Sequence, residues 1–212
     1  MGVGEGVAAT GPGAVYWWPG RGASKRAAPH VKGEEQAMAG RIYLITGVMA
    51  AGKSTVAQLL AERMARGVHL RGDVFRRMIV AGREEMSETP TQGALDQLAL
   101  RYRLAAQAAK TYCEAGFTVV LQDNYYGRAL PEMIELLRGY SIFPVVLCPR
   151  AEVVRRREAG RGKTGYTGFA VERLCADFLR ETPRLGLWLD SSEQIPEETV
   201  ESILQHSGGA GL

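Results

Sequence analysis

The chain contains 212 residues, of which 46% are hydrophobic and 23% are charged, a composition typical of one globular domain with a full core. Its formal net charge of +3 at pH 7 is too small to indicate a nucleic-acid or membrane partner by itself. No segment approaches the roughly 20 apolar residues that a membrane span requires. We therefore expect a soluble protein with no membrane partner, and nucleic acid is not favoured as a ligand.

The first 39 residues differ in composition from the rest of the chain. Residues 1–39 are rich in Gly, Ala and Pro and show neither a helical nor a strand period, so we expect a disordered leader. Met38 lies four residues before the first predicted strand, and the leader is therefore either a functional tail or an artefact of an upstream start site. The sequence leaves both explanations open. Residues 40–207 are predicted to form the folded domain and residues 208–212 a flexible tail.

From residue 41 onward, short apolar runs alternate with segments of helical period. The predicted strands span residues 42–46, 68–70, 117–122, 142–147 and 185–189. The predicted helices span residues 53–66, 74–81, 94–114, 131–138, 151–159, 171–180 and 197–206. This alternation predicts a three-layer α/β/α fold with a five-stranded parallel sheet, whose ligand binds at the carboxyl ends of the strands.

A complete phosphate-binding loop directly follows the first predicted strand. Its pattern G-x-x-x-x-G-K-[ST] is formed by Gly47, Val48, Met49, Ala50, Ala51, Gly52, Lys53 and Ser54, followed by Thr55. Backbone N–H groups of such a loop and the positive end of the next helix bind phosphates. Lys53 would reach the β- and γ-phosphates, and the Ser54 hydroxyl would ligate Mg²⁺. The loop therefore predicts binding of a nucleoside triphosphate with Mg²⁺.

A second polar segment, Gly72 to Arg77, follows the short second strand. In a three-layer domain it lies at the same sheet edge as the phosphate loop, so Asp73 would face the γ-phosphate across a cleft. There Asp73 could accept the proton of an attacking hydroxyl, and Arg76 could hold the acceptor or the migrating charge. The alternative is that Asp73 only caps a helix that starts at Val74.

A third candidate is Asp123, at the end of the predicted strand over residues 117–122. A carboxylate beside the phosphate loop is suited to hold Mg²⁺ through water, although an Asp that merely starts a loop is equally common. Tyr126 and Arg128 follow it toward the presumed cleft. Either they contact the acceptor or they have a packing role. The turn over residues 190–193 is expected to hold the adenine, chiefly through backbone groups.

The fourth candidate is a predicted lid over about residues 155–168, which begins as a helix and breaks at Gly160 and Gly162. Arginines on a closing segment stabilise the charge that phosphoryl transfer spreads over the equatorial oxygens. Arg157 and Arg161, one helical turn apart, are the candidates for this role. The alternatives are a solvated charged face or a nucleic-acid patch.

The three cysteines complete the residues with distinctive chemistry. Cys113, Cys148 and Cys175 have no metal-ligand or C-x-x-C spacing and lie in apolar surroundings. We therefore expect reduced, packed cysteines in a cytoplasmic protein.

Together, the loop GVMAAGKST, the segment GDVFR, the strand-end Asp123 and the RExxRG pattern from Arg157 to Gly162 resemble the adenylate-kinase-like branch of P-loop kinases. Within that branch the chain is similar, over residues 41–206, to the chloramphenicol phosphotransferase group and its AAA-type ATP-binding relatives. The resemblance implies a nucleoside monophosphate kinase-like P-loop NTPase fold with an Arg-bearing lid, ATP with Mg²⁺ as cofactors, and a general base at Asp73. It also implies catalytic roles for Lys53, Arg157 and Arg161.

One residue departs from that group. In chloramphenicol phosphotransferase the base carboxylate is not followed by Arg at i+3, whereas adenylylsulfate kinase and the 5′-hydroxyl polynucleotide kinases have an arginine there, as Arg76 is here. This difference leaves the identity of the acceptor open, but it does not affect the predicted fold.

The leading hypothesis is an ATP-dependent phosphotransferase that acts on a hydroxyl of a small molecule, such as an antibiotic or other secondary metabolite. The first alternative is a 5′-hydroxyl polynucleotide kinase, which would need a basic, aromatic-lined channel. The second is a nucleotide-binding regulatory or toxin-like module. The acceptor pocket is expected on the long helix over residues 94–114, around Tyr102 and Arg103.

Overall fold

The computed structural model describes residues 40–87, 89–160 and 170–208. The predicted leader, most of the predicted lid, including Arg161, and residues 209–212 of the predicted tail lie outside these ranges. Within them, the strands are β1 (Arg41–Gly47), β2 (Gly67–Arg71), β3 (Thr118–Gln122), β4 (Ser141–Leu147) and β5 (Leu187–Leu189). The helices are α1 (Lys53–Glu62), α2 (Asp73–Arg77), α3 (Gln92–Glu114), α4 (Ala129–Leu136), α5 (Ala151–Ala159), α6 (Val171–Glu181) and α7 (Pro196–His206).

The strands form one parallel sheet in the order β2-β3-β1-β4-β5, which confirms the predicted five-stranded α/β fold. The register pairs Ile45 of β1 with Gln122 of β3, and Arg71 of β2 with the same Gln122. On the other side of β1, Gly47 pairs with Leu147 of β4. The carboxyl ends of β1, β2 and β3 are therefore neighbours, and the polar residues that follow them share one edge of the sheet.

The core lies in the central strands, whose residues are buried on both faces of the sheet. Consecutive residues of β1, β3 and β4 have no exposed surface, over residues 42–45, 119–121 and 145–147. Such continuous apolar runs are what a parallel sheet covered by helices on both faces requires. Helix α1 packs against β3 and α7, and α3 packs against β3 and α4. This core holds the sheet edge in place as a rigid platform for the loops.

Element boundaries differ from the predicted ones mainly at two helices. Helix α1 ends at Glu62 instead of residue 66, and α2 is a short helix that starts at Asp73 and ends at Arg77 instead of residue 81. Gly116 and Gly139 follow α3 and α4 with positive φ values of 79° and 92°, as expected for glycines that end helices. No described helix combines the length and the hydropathy needed to cross a membrane.

Candidate active site

Three residues of the phosphate loop have positive φ angles, which residues other than glycine rarely adopt. Gly47 has φ of 148°, and a Cβ there would lie 2.4 Å from the carbonyl oxygen of Leu147. Gly52 is left-handed, with φ of 98°, and so is Ala50, with φ of 61°. A non-glycine residue with positive φ stores strain and is found mostly where the backbone conformation serves a binding site. Buried Val48 and Ala51 anchor the loop in the core.

Lys53 and Ser54 are the first two residues of helix α1, which directly follows the loop. Lys53 is 8% exposed, and its Nζ donates hydrogen bonds of 2.8 Å to the carbonyl oxygens of both Gly47 and Val48. Ser54 is exposed and lines the cleft above the loop. The ammonium group is thus already inside the loop that would surround the phosphates, at the positive end of α1.

Of the two predicted lid arginines, Arg157 lies within the described residues, and its side chain contacts the phosphate loop. Its Nη1 donates to the carbonyl oxygen of Ala51 at 3.2 Å, and its Nη2 donates to that of Ser191 at 3.1 Å. Burial, reinforced by the charge of the neighbouring Arg156, lowers the pKa of Arg157. Arg157 therefore ties helix α5 to both the phosphate loop and the turn after β5.

A cleft of about 600 Å³ opens at this edge of the sheet. It is lined by Met49, Ala50, Ala51, Gly52, Lys53, Ser54, Thr55, Val56, Arg71, Asp73, Arg101, Gln122, Asp123, Asn124, Arg157, Ser191, Gln194, Pro196 and Thr199. Phosphate-loop residues, the predicted base and the strand-end carboxylate thus line one space. Its size is in the range usual for small-molecule sites.

Asp123 has a partner that the sequence did not suggest. Its side chain is 2% exposed and forms a bidentate ion pair with Arg101 of α3, in which Nε donates to Oδ2 at 2.6 Å and Nη2 donates to Oδ1. The backbone N–H of Asn124 donates to the same Oδ1 at 2.7 Å. Sequence reasoning pointed instead to Tyr102 and Arg103, the two residues after Arg101. Of these, Tyr102 donates its hydroxyl to the Asn124 carbonyl at 2.8 Å, and Arg103 is exposed.

A signal for Arg101 was nonetheless present in the pattern of α3. The buried positions of that helix include Ala94, Tyr102, Ala105 and Ala109, and Arg101 lies four residues before Ala105 on this side. A charged residue at a core-facing position of an otherwise apolar stripe is rarely left unpaired. That rule predicts a buried carboxylate nearby, which the structure identifies as Asp123.

Asp73 lies at the start of α2, beside the Asp123 pair. Its Oδ2 accepts a hydrogen bond of 2.7 Å from Nη2 of Arg77, and its Oδ1 lies 3.4 Å from Nε of Arg71. Helix α2 begins at Asp73 itself and Gly72 precedes it, so Asp73 is not at the N-cap position that the alternative interpretation assigns to it. Asp73 is instead an ion-paired carboxylate that lines the cleft.

Three residues predicted to contact the acceptor do not line the cleft. Arg76 pairs with the exposed Glu85, whereas the arginines that pair with Asp73 are Arg71 and Arg77. Tyr126 packs edge-on against Phe178, with ring centroids 5.3 Å apart. Arg128 is exposed at the start of α4. Arg76, Tyr126 and Arg128 are absent from the lining of the described cleft.

The turn expected to hold the adenine is ordered by its own side chains. Asp190 accepts from the backbone N–H of Ser192 at 2.9 Å and also from its hydroxyl. The Ser192 hydroxyl in turn accepts from the backbone N–H of Arg150 at 2.8 Å. Ser191 lines the cleft beside Arg157. The turn is thus fixed against the start of α5, at the end of the cleft away from Asp73.

The donor set fits Mg²⁺ held mainly by phosphate and water. Ser54 is the residue after Lys53 and faces the cleft. Asp123 already accepts three hydrogen bonds, so about one of its four acceptor positions remains for a metal-bound water. Among the described residues, no group of three or more His, Cys, Asp or Glu side chains could hold a metal by itself. Mg²⁺ commonly binds in this way, through few protein ligands and several phosphate or water oxygens.

Comparison with solved structures finds the same fold in several proteins, among them two kinases. The chain is 17% identical to the Mycobacterium tuberculosis APS kinase CysC in complex with AMPPNP and APS, covering 80% of this chain and 98% of that one, with a TM-score of 0.61. It is 19% identical to the Deinococcus radiodurans tunicamycin resistance protein, covering 80% and 96%, with a TM-score of 0.60. A gluconokinase from Sinorhizobium meliloti 1021 is 19% identical over 82% and 94%, with a TM-score of 0.55.

A comparison with the curated proteins finds no match to this sequence. A family model described as an AAA domain, AAA_33, matches residues 42–182, which include the phosphate loop, Asp73, Asp123 and Arg157. The match covers more than half of the chain, and it agrees with the parallel sheet and the phosphate loop described above. The chain therefore belongs to the AAA_33 family of AAA domains.

Proposed function

We propose that this chain transfers the γ-phosphoryl group of ATP to a hydroxyl of a small molecule, such as an antibiotic or other secondary metabolite. The observation that carries the proposal is that Asp73 lines the same cleft as Lys53 and Ser54. A carboxylate across a cleft from the phosphates is what an alcohol acceptor needs as a general base. The similar fold of a gluconokinase and of a tunicamycin resistance protein is consistent with it.

In the proposed reaction the acceptor oxygen forms a bond to the γ-phosphorus while the bond from that phosphorus to the β–γ bridging oxygen breaks. The hydroxyl proton passes to Asp73, and ADP is the leaving group. Lys53 and the loop N–H groups hold the phosphates, while Arg157 and Arg161 neutralise charge on the transferred group. Thr55 continues α1, and Val48 and Met49 contribute to the loop backbone.

Mg²⁺ would be held by Ser54 and, through water, by Asp123. When bound, it would neutralise the negative charge that develops on the phosphates. The protein contributes the Ser54 hydroxyl at the start of α1 and a rigid carboxylate at the end of β3. Acceptor contacts are proposed around Asp73 and Asp123, and those predicted for Arg76, Tyr126 and Arg128 would need these side chains to turn toward the cleft.

The test is a screen of ATP consumption by the purified full chain with Mg²⁺. The compounds are hydroxyl-bearing metabolites, hydroxylated antibiotics and 5′-hydroxyl oligonucleotides, and Lys53→Ala is the inactive control. We expect a small-molecule hydroxyl to accelerate ADP formation and to be recovered as a phosphate ester.

Two other outcomes would assign a different function. Phosphorylation confined to oligonucleotides, and weakening steeply with salt, would identify a polynucleotide kinase. ATP hydrolysis that no hydroxyl compound accelerates, together with a stable protein partner, would indicate a regulatory module.

A further inference from the structure

The guanidinium of Arg101 is only half used by its ion pair. Arginine has five N–H donors, and the pair with Asp123 occupies one on Nε and one on Nη2. Within the described part of the chain, the two donors of Nη1 and the second donor of Nη2 have no hydrogen-bond partner. Arg101 lines the cleft, and its side chain is 13% exposed. Three fixed donors are therefore available at the acceptor end of the site.

Asp123 holds this guanidinium in one orientation. Burial by itself would lower the pKa of Arg101, but attraction to Asp123 outweighs this effect and raises it. Asp123 is in turn fixed by the Asn124 N–H and by the close approach of Gly72, where a Cβ would lie 2.0 Å from Oδ2. A partly desolvated arginine with one side clamped and the other side free is suited to bidentate recognition of a second oxyanion.

Asp73 and Asp123 are the two carboxylates that line the described cleft, and both already have arginine partners. Asp73 pairs with Arg71 and Arg77, and Asp123 pairs with Arg101. Neither carboxylate is therefore left to compete for the unused donors of Arg101. Lys53 and Arg157, which contact the phosphate loop, are the cations proposed to hold the nucleotide phosphates.

We propose that the acceptor is a hydroxy compound that also carries a carboxylate or phosphate group, which the unused side of Arg101 binds. This inference rests on the proposed function and names its substrate class. Arg101 is then the residue that selects anionic over neutral alcohols, and Asp123 is the positioning residue that holds it.

The experiment compares matched acceptors that differ mainly in charge: gluconate against glucose, and glycerol 3-phosphate against glycerol. Each is tested as phosphate acceptor with the full wild-type chain, Arg101→Gln and Arg101→Lys. We expect the wild type to prefer the anionic member of at least one pair. In Arg101→Gln, kcat/KM for that member should fall at least about thirtyfold, mostly through KM, while the KM for ATP stays within about twofold.

Lys110→Gln is the matched control, because Lys110 is a basic residue of the same helix that lies over the Tyr140 ring and does not line the cleft. It should leave the preference unchanged, and thermal melting of every variant checks that the fold is intact. Arg101→Lys keeps the charge but loses the fork, so we expect it to restore only part of the loss.

Each other result counts against a specific statement. If wild type prefers the neutral members, or if Arg101→Gln lowers kcat equally for both members, the selection by Arg101 is wrong while the kinase function stands. If no hydroxyl compound of either charge is phosphorylated here or in the broader screen, the kinase function and the inference fall together.

Discussion

Gly72 and Asp123 approach so closely that the structure has no room for a side chain between them. A Cβ on Gly72 would lie 2.0 Å from Oδ2 of Asp123 and 2.8 Å from its Cγ. The backbone N–H of Gly72 also donates to the carbonyl oxygen of Gln122 at 3.0 Å. The carboxyl ends of β2 and β3 are therefore in contact at Gly72, and Asp73 is the next residue of the chain.

Replacing Gly72 with Ala should disturb the active site, because the added methyl group would collide with the Asp123 carboxylate. The methyl group would displace the Asp123 carboxylate or the start of α2, at a cost of about 1–3 kcal/mol of the free energy of unfolding. Phosphoryl transfer should fall by more than the loss of folded protein explains. Urea denaturation and steady-state kinetics measure the two effects. Gly93→Ala is the control, since a Cβ there meets only the end of the exposed Glu84 side chain. Equal activity in both variants would contradict the prediction.

Asp73→Asn should lower turnover by at least about a hundredfold, because the amide cannot accept the proton of the acceptor hydroxyl. ATP binding should be unchanged, since Asp73 pairs with Arg71 and Arg77 and not with the phosphate loop. Turnover by a coupled assay and ATP affinity by calorimetry separate these effects. Glu85→Gln, which removes the exposed partner of Arg76, is the control. Preserved turnover in Asp73→Asn would assign Asp73 a role in ion pairing alone.

Arg157→Ala should weaken ATP binding and slow turnover together. The side chain links the phosphate loop to Ser191, so its loss removes hydrogen bonds of 3.2 and 3.1 Å as well as the cation proposed to bind the phosphates. We expect the KM for ATP to rise about tenfold, the effect of one or two charge-assisted hydrogen bonds. Arg156→Ala tests the neighbouring exposed position and should behave like wild type. If both variants bind ATP equally well, Arg157 is only a surface charge.

Thr46→Val should destabilise the fold without touching the cleft directly. The Thr46 hydroxyl accepts a hydrogen bond of 2.9 Å from the backbone N–H of Tyr125, and both residues are fully buried. Valine leaves that N–H without a partner, which costs about 1–3 kcal/mol. Thr111→Val, at an exposed position of α3 where the hydroxyl bonds only to its own helix, should cost much less. Chemical denaturation of the two variants gives the comparison.

The fold was predictable because each of its signals is local. The apolar runs of β1, β3 and β4 are long enough to be read as buried strands, and their alternation with helical segments indicates a parallel sheet. The phosphate loop was predictable for the same reason, since its residues are contiguous. The end of α2 at Arg77 was missed, because the apolar residues Met78 and Val80 continue the pattern although both side chains are exposed.

The partners of the charged residues were not predictable in the same way. Arg101 and Asp123 are 22 residues apart, and no local pattern links a helix position to the end of the next strand. Likewise, Arg76 was predicted to hold the acceptor or the migrating charge, but its side chain pairs with Glu85, and the neighbouring Arg77 pairs with Asp73. Side-chain pairing across elements depends on the three-dimensional packing, which a single sequence does not specify.

The two hydrogen bonds from Lys53 to the carbonyl oxygens of Gly47 and Val48 affect the energetics of nucleotide binding. The cation proposed to bind the phosphates also cross-links the loop, and these hydrogen bonds support the loop conformation without a nucleotide. If Lys53 turns toward the phosphates, binding exchanges these contacts for new ones, and the measured affinity reports only the difference. Substitution of Lys53 should then loosen the loop in the nucleotide-free protein, an effect that amide hydrogen exchange at residues 48–52 can detect without any substrate.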